Sequence, residues 1–428
     1  MSTAPDPTAA ADDGVQPPRP PFIRRVRIRN YKSIAFCDVT LEPLTILVGR
    51  NASGKSNFLD ALGFLSDVIH VGIGEAVKQH GGAAAILCKW GSYPVGEYRA
   101  VSIEIEGEFT VGLKNDTHTS RYRLDIEFPR NRPPRVRAEV LRIEAGDWWV
   151  GFTNKGGEVI YVSADDEPLL ELWHVPDRPA LDSYRDSPVT DFIGYFDAFA
   201  FYRFNPEAIR PVRKPAPGYF LEPDGGNLAS VIATTLENDP PSIERVRQFL
   251  TAITSSVGLV GVARYGDYET VRFSTIGADG RTAEFDAASM SDGTLRALAA
   301  LVACYQLVVP QGHPTFIGIE EPETALHPAA MRALVSALDE ATLRTQVLLT
   351  THSPDLLDAE EVMPANVRVV RMIDGKTVIG PVDAADIEIV ERELNTLAGL
   401  ERQDRLDPDL DDIERQQRLA EEPRGAGE

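Results

Sequence analysis

The sequence has few cysteines and no long hydrophobic run. Its 428 residues include only three cysteines (Cys37, Cys88 and Cys304), which lie far apart and form no CxxC pair. This excludes a disulfide scaffold and a Cys-rich zinc module and is typical of a reducing compartment, so we expect a cytoplasmic protein. The sequence contains no run of about 18 apolar residues and no secretory signal, which predicts a protein without a membrane-spanning helix.

Basic residues are also in deficit. Lys and Arg total 43 against 65 Asp and Glu, a formal net charge of −22. This balance excludes a histone-like coat for nucleic acid but is compatible with a local basic patch. Hydrophobic residues make up 43% of the sequence, which is enough for a core of useful size, and the length indicates two or three domains.

The pattern along the chain predicts five segments. Residues 1–21, rich in Pro, Ala and Asp, are expected to be a disordered tail, and residues 401–428 an acidic, flexible one. Between them, strands that alternate with helices predict a parallel sheet with covered faces. Short alternating segments before residue 163 predict an antiparallel meander, and the lack of heptads excludes a long coiled coil. The three central segments are residues 22–96 (a first lobe), 97–256 (a β-rich insertion followed by helices) and 257–400 (a second lobe).

A glycine-rich loop follows a predicted buried strand and precedes a predicted helix. It matches the pattern GxxxxGK[ST] with Gly49, Arg50, Asn51, Ala52, Ser53, Gly54, Lys55 and Ser56, and Asn57 follows. The backbone N–H groups of such a loop face a phosphate, and the helix N-terminus adds partial positive charge. We expect Lys55 to reach the β- and γ-phosphates and Ser56 to ligate Mg²⁺. The strand–loop–helix context favours a site for ATP with Mg²⁺ over a chance glycine-rich turn.

A second motif is a predicted buried strand that ends in two carboxylates, Glu320 and Glu321. Buried carboxylates are costly unless a metal or a positive charge awaits them. Downstream of a phosphate-binding loop, we expect Glu320 to hold Mg²⁺ or its water and Glu321 to polarise the water that attacks the γ-phosphate. Taken alone, the motif would fit a solvated strand end equally well.

Two further motifs have a functional and a structural interpretation. A predicted strand leads into His352, where a sensor of the γ-phosphate would lie, although a lone histidine is usually structural. Ser291, Asp292 and Gly293 open a predicted helix, and they fit either an anion site or a plain N-cap.

Together and in this order, the motifs resemble those of the ATP-binding-cassette (ABC) ATPases of the RecF/SMC/OLD-like branch, bacterial AAA family ATPases with an AAA-type core. The resemblance covers roughly residues 22–400 and implies an α/β P-loop NTPase head, in which a mainly parallel sheet flanked by helices joins an antiparallel β lobe. The loop described above corresponds to the Walker A motif and the acidic strand end to Walker B. Ala52 stands where the family often has Gly, and Glu320 where Asp is common. A Q-loop glutamine is not clear, since Gln79 is the only Gln soon after the P-loop helix.

The resemblance also implies roles for the two remaining motifs. Glu321 and His352 would be catalytic, and Ser291, Asp292 and Gly293 would form the signature loop that contacts the γ-phosphate held by a second chain. A complete site then needs two chains, so ATP would drive formation of a homodimer.

The biological role is open to three interpretations. The resemblance implies an ATP-hydrolysing switch in DNA repair or phage defence. OLD-like relatives carry a fused TOPRIM nuclease, for which too few residues follow His352, so we expect any nuclease or effector to be a separate chain. A nucleotide-dependent scaffold is the alternative, and a transporter ATPase subunit is disfavoured by the SDGT loop and the long β-rich segment.

Two basic stretches are candidate DNA contacts. Alternate arginines on a strand share a face and could follow a phosphate backbone, whereas a solvated sheet face is the simpler interpretation. Trp148 and Trp149 fit a core or an interface better than a base-stacking platform. The stretches comprise Arg121, Arg123, Arg130, Arg132, Arg135, Arg137 and Arg142 in the meander, and Arg203, Arg210, Arg213 and Lys214 beside Tyr202 and Phe204.

Overall fold

The computed structural model describes residues 22–91, 99–111, 116–145, 148–163, 168–183, 188–254, 257–277, 279–307 and 313–421. The predicted disordered tail of residues 1–21 lies outside these ranges, as do residues 96 and 256, at which the first two central segments are predicted to end.

The described residues form 17 strands and 12 α-helices. The strands are β1 (Phe22–Tyr31), β2 (Ile34–Thr40), β3 (Leu44–Val48), β4 (Arg99–Val111), β5 (Asp116–Phe128), β6 (Arg135–Ala145), β7 (Trp148–Lys155), β8 (Glu158–Ser163), β9 (Pro168–Trp173), β10 (Phe199–Tyr202), β11 (Val257–Tyr265), β12 (Tyr268–Ile276), β13 (Thr282–Asp286), β14 (Phe316–Glu320), β15 (Gln346–Thr351), β16 (Val367–Ile373) and β17 (Lys376–Pro381). The helices are α1 (Lys55–Val71), α2 (Ile73–Gln79), α3 (Ala83–Ile86), α4 (Pro188–Asp197), α5 (Pro206–Ile209), α6 (Leu228–Asn238), α7 (Pro240–Thr254), α8 (Asp292–Tyr305), α9 (Pro328–Ala341), α10 (Ala384–Glu391), α11 (Leu397–Arg402) and α12 (Leu410–Glu421).

The strands form three sheets. The central sheet has the order β10-β14-β15-β3-β16-β17 and is parallel except for β17. An antiparallel sheet has the order β2-β1-β4-β5-β6-β7-β8-β9, and β11-β12-β13 form a smaller one. The predicted α/β class, with a parallel sheet and an antiparallel β lobe, is therefore confirmed. The predicted meander is part of the sheet that begins with β1 and β2, because β4 pairs along β1 from Phe22 to Arg29.

The central sheet is buried on both faces, which is why its strands are short continuous apolar runs. All five residues of β3 are buried, and successive side chains enter different cores. Ile46 and Val48 pack in the core formed with α6–α9, whereas Leu47 packs in the core formed with α1 and the antiparallel sheet. The central sheet thus lies between two apolar layers, and the ends of its strands are held in fixed positions.

The acidic segment of residues 401–421 differs from its prediction as a flexible tail. It contains α12, which packs on β2 and β17. Gln416 is only 4% exposed; its amide oxygen accepts from the Asp38 N–H (3.1 Å) and its amide nitrogen donates to the Ile379 carbonyl (2.8 Å). Arg415 forms an ion pair with Asp38 at 3.0 Å. The high charge content predicted mobility, but these charges are paired within the fold; residues 422–428 lie outside the described ranges.

A half-buried polar cluster attaches α1 to its neighbours. The carboxylate of Asp60 on α1 accepts from the Tyr31 hydroxyl and lies 2.6 Å from the Lys32 ammonium and 3.1 Å from the ring of His80. The other ring nitrogen of His80 lies 2.8 Å from Asp67. Burial lowers the pKa of His80, but its hydrogen bonds to the two carboxylates outweigh that effect and raise the pKa to about 9.

We expect His80→Gln to lower the free energy of unfolding by about 2 kcal/mol near pH 6 and by much less near pH 10. The folded-state pKa, about 9, lies above the ordinary value of 6.5. The stabilisation is therefore complete below pH 6.5 and is lost as the pH rises through about 9. Urea unfolding of the variant and wild type at both pH values measures the loss of stability. His313→Gln is the control, because the His313 ring lies 4.0 Å from its carboxylate partner Asp239 and its removal breaks no close ion pair. An equal loss at both pH values would contradict the charge-based explanation.

Candidate nucleotide-binding site

Three of the predicted motifs meet at one edge of the central sheet. The P-loop follows β3, the acidic pair ends β14, and His352 follows β15. These strands are neighbours in the order β14-β15-β3, with Glu320 opposite Thr350 and Thr351 opposite Val48. Since the three strands are parallel, their carboxyl ends share an edge, which is where α/β sheets bind ligands.

The P-loop has the conformation that its glycines and small residues allow. Ala52 and Gly54 have φ of +63° and +105°, in the left-handed region that an L side chain rarely adopts. A Cβ atom on Gly54 would lie 1.9 Å from the Thr377 hydroxyl, so β17 packs directly on the loop. The hydroxyl of Ser53 is buried and has no hydrogen-bond partner among the described residues. A buried donor of this kind inside such a loop can donate to a phosphate oxygen of a bound nucleotide.

Lys55 is folded back over the loop. Its ammonium group donates to the carbonyls of Gly49 (2.6 Å) and Arg50 (3.0 Å), and the residue is only 5% exposed. Burial lowers the pKa of Lys55, and the nearby carboxylates, Glu321 first among them, oppose that shift. The site therefore holds one buried cation facing several acidic groups.

Ser56 and Glu320 form the candidate metal site. The Ser56 hydroxyl donates to Oε2 of Glu320 at 3.1 Å. A hydroxyl and a carboxylate are ligands that Mg²⁺ accepts, with phosphate oxygens and waters completing its octahedron. No group of three or more His, Cys, Asp or Glu that could hold a metal occurs in the described ranges. One hydroxyl and one carboxylate side by side are a donor set that fits a metal bound together with a nucleotide.

Glu321 and His352 lie together beside this pair. The His352 Nδ1 atom lies 3.3 Å from Oε1 of Glu321, and both side chains reach solvent. Glu321 has φ of +44°, a strained conformation for a non-glycine residue, and its N–H donates to the Thr350 carbonyl at 3.0 Å. Strain of this kind is often found at functional sites.

The signature residues lie at the start of α8 and make contacts other than those to the P-loop. The Ser291 hydroxyl caps the helix by accepting from the Thr294 N–H at 3.2 Å, and Asp292 is paired with Arg210. A Cβ atom on Gly293 would lie 2.4 Å from the Ala325 carbonyl, which follows the acidic strand. Within the described residues, no hydrogen bond or ion pair joins residues 291–293 to residues 49–57.

Two charged residues at this edge were not predicted as site residues. Glu323 is 2% exposed, accepts from the Thr351 hydroxyl at 2.5 Å, and leaves one carboxylate oxygen without a partner in the described part of the chain. Arg203 was predicted only as part of a basic stretch, and its guanidinium lies 3.9 Å from Glu320. Gln79 lies instead at the exposed end of α2. Only the strand order, which the sequence does not reveal, brings Arg203 to the acidic pair.

The described arginines of the meander are largely paired with carboxylates of the same sheet. The Arg142 guanidinium also lies 4.5 Å from the centre of the Trp149 ring. This pairing favours the simpler interpretation of a solvated sheet face. The ion pairs are Arg121 with Glu104, Arg123 with Asp125, Arg135 with Glu127 and Arg142 with Glu144.

The fold and the P-loop edge define a P-loop NTPase with an ABC-type head. The chain belongs to the family described as "AAA domain, putative AbiEii toxin, Type IV TA system", whose model matches residues 44–358. It is thus an ATPase of the AAA/SMC-head kind. No curated protein matches the sequence. None of the helices in the described ranges is long and apolar enough to cross a membrane.

Solved SMC heads have the same fold. One similar structure is an Smc head bound to the C-terminal winged-helix domain of ScpA, with 12% identity and a TM-score of 0.52 over 86% of this chain and 99% of that one. Another is an Smc head domain with an extended coiled coil, bound to the C-terminal domain of ScpA from Pyrococcus furiosus. It has 12% identity and a TM-score of 0.50 over 87% and 99% of the two chains.

Proposed function

We propose that this protein binds ATP with Mg²⁺ and hydrolyses it, and that ATP joins two chains into a switch. The observation that carries the proposal is the convergence of four side chains on one edge. Ser56 lies 3.1 Å from Glu320, and His352 lies 3.3 Å from Glu321. The hydroxyl and carboxylate of the first pair can bind a metal ion. The second pair can orient an attacking water and accept its proton.

Each group has a distinct task in this mechanism. The loop N–H groups, the Ser53 hydroxyl and Lys55 bind the phosphates, and Ser56 and Glu320 hold the metal. Bound Mg²⁺ would supply positive charge to the β- and γ-phosphate oxygens. Glu321 accepts a proton from the water, and His352 orients the Glu321 carboxylate and senses the γ-phosphate. Hydrolysis thus depends on a carboxylate that this fold holds in a strained, partly exposed position.

The position of the signature loop supports a site completed by two chains. Ser291 and Asp292 are exposed at a helix N-terminus, and Gly293 packs on the backbone near Ala325. An exposed helix N-terminus attracts a phosphate. Because this one does not contact its own P-loop in the described structure, we propose that it contacts the γ-phosphate held by a second chain in a two-fold dimer.

We expect Ser291→Arg to prevent ATP-driven dimer formation. The change removes the helix cap and places a bulky side chain at the proposed interface. Light scattering on the Glu321→Gln background, with and without Mg²⁺ and ATP, measures it. The mass of the Glu321→Gln protein should double with ATP, and the mass of the protein that carries both Glu321→Gln and Ser291→Arg should stay constant. Ala384→Arg, which adds the same side chain to the exposed first turn of α10, is the control and should still dimerise. A mass that doubles in all three proteins would contradict the composite site.

The biological role that we propose is a switch in DNA repair or phage defence that acts on a separate effector. Both similar SMC heads are described as bound to a domain of ScpA, which makes a protein partner seated on the head a reasonable form for that effector. A scaffold that binds ATP without DNA contact is the second candidate, and the pairing of the meander arginines favours it. Added mass with duplex DNA in the light-scattering experiment would favour the first role, and unchanged mass the second.

A further inference from the structure

Arg203 is an exposed cation at the edge that holds the candidate nucleotide site. It directly follows β10, which is the outer neighbour of β14, with Tyr202 opposite Ile319. One residue further along, Arg203 therefore stands beside Glu320, at the strand spacing of about 4.8 Å. The location follows from the sheet order and does not depend on the side-chain conformation.

The guanidinium group is free to bind a further anion. Its side chain is 84% exposed, and its nitrogen lies 3.9 Å from the Glu320 carboxylate. A tight pair of this kind has N–O distances of about 2.7–2.9 Å and two parallel hydrogen bonds. Arg203 has no other ion pair or side-chain hydrogen bond with any residue that the structure describes.

The backbone that carries Arg203 is well fixed. The Arg203 N–H donates to the Pro223 carbonyl at 2.9 Å, and the Phe204 carbonyl accepts from Arg296 at 2.8 Å. The Tyr202 and Phe204 rings stack on each other at 5.2 Å and are 3% and 2% exposed. These rings are therefore unavailable for stacking on nucleic-acid bases. A guanidinium group that has no tight ion pair, on a backbone held by hydrogen bonds, is the arrangement that electrostatic catalysis requires.

We propose that Arg203 is a further catalytic residue of this site, which binds the γ-phosphate of ATP held by its own chain. The inference rests on the proposed function. Negative charge spreads over the γ-phosphate oxygens during hydrolysis, and an arginine supplied by the same chain can stabilise it. Glu320 holds the guanidinium close to the site, and ATP offers it a stronger anionic partner. The segment of residues 203–210 ends at Arg210, which is paired with Asp292 of the signature loop, so it connects the nucleotide site of this chain with the loop proposed to complete the site of the second chain.

The test compares Arg203→Ala, Arg203→Lys and wild type. Equilibrium titration with fluorescent ATP and ADP analogues in Mg²⁺ gives both affinities, and steady-state hydrolysis gives kcat and KM. Arg203→Ala should lower kcat by about a hundredfold or more. It should reduce the preference for ATP over ADP by about tenfold, because ADP lacks the γ-phosphate. Arg203→Lys should recover only part of both effects, since it keeps the charge but not the planar fork.

The control is Arg281→Ala, which removes an arginine of similar exposure (89%) that pairs with Asp279. It should leave both affinities and kcat unchanged. Equal effects of Arg203→Ala on ATP and ADP, unchanged kinetics, or loss of duplex DNA binding alone would overturn the inference. A wild type that binds neither nucleotide would overturn the proposed function as well. A wild type that binds ATP without hydrolysing it would remove hydrolysis from the proposed function, and the ATP-to-ADP preference would still decide the role of Arg203.

Discussion

Glu321→Gln is expected to lower the rate of ATP hydrolysis by about 10²- to 10⁴-fold while ATP still binds. The amide keeps the size of the side chain but cannot accept a proton from water. It leaves Ser56 and Glu320 in place, so the metal and the phosphates keep their ligands. Phosphate release under saturating ATP measures the rate, and titration with a fluorescent ATP analogue measures the affinity.

The matched control is Glu391→Gln, on the exposed end of α10. It makes the same chemical change and should leave hydrolysis unaltered. Hydrolysis that continues unchanged in Glu321→Gln would remove Glu321 from the catalytic role. A parallel loss of ATP affinity would instead assign Glu321 to nucleotide binding.

Lys55→Met is expected to weaken ATP binding by about a hundredfold or more. Methionine keeps most of the apolar stem of this buried side chain and removes the ammonium group. The loop then lacks its buried cation, and one of the positive charges that offset Glu320, Glu321 and Glu323 beside the phosphates is lost. Isothermal titration of the variant with ATP and Mg²⁺ measures the loss.

Lys78→Met is the control, since that lysine is 76% exposed and pairs only with Glu75 among the described residues. Thermal unfolding of both variants separates binding from folding, because Lys55 also satisfies the carbonyls of Gly49 and Arg50. Unchanged ATP affinity in folded Lys55→Met would exclude this loop as the phosphate site.

Much of the fold is predictable from the sequence because its strands have simple patterns. The apolar runs of β3, β14 and β15 indicate buried parallel strands, and the alternation in β4–β8 indicates a meander. The pairing of β4 with β1 is not predictable, since it depends on a contact between distant segments. The sequence also fails to predict that α12 is a packed helix, for another reason. Its charged residues predict mobility, and only the structure reveals that Arg415 meets the buried Asp38.

The candidate site is predictable where function and local sequence coincide. The P-loop and the acidic strand end carry their chemistry in consecutive residues, so a pattern suffices to find them. Arg203 and Glu323 have no such pattern, because their importance comes from the strands beside them. A search of the sequence for a site glutamine leads to Gln79 at the exposed end of α2, whereas only the strand order brings Arg203 beside the acidic pair.

The place of β3 in the central sheet has a consequence for synthesis on the ribosome. β3 is made early, yet both of its neighbours, β15 and β16, are made about 300 residues later. At translation rates of about 5–20 residues per second, the P-loop strand waits roughly 15–60 s for its partners. During that time the apolar residues of β3 have no sheet to enter. The phosphate loop can therefore take the shape described above only after β15 and β16 have been made.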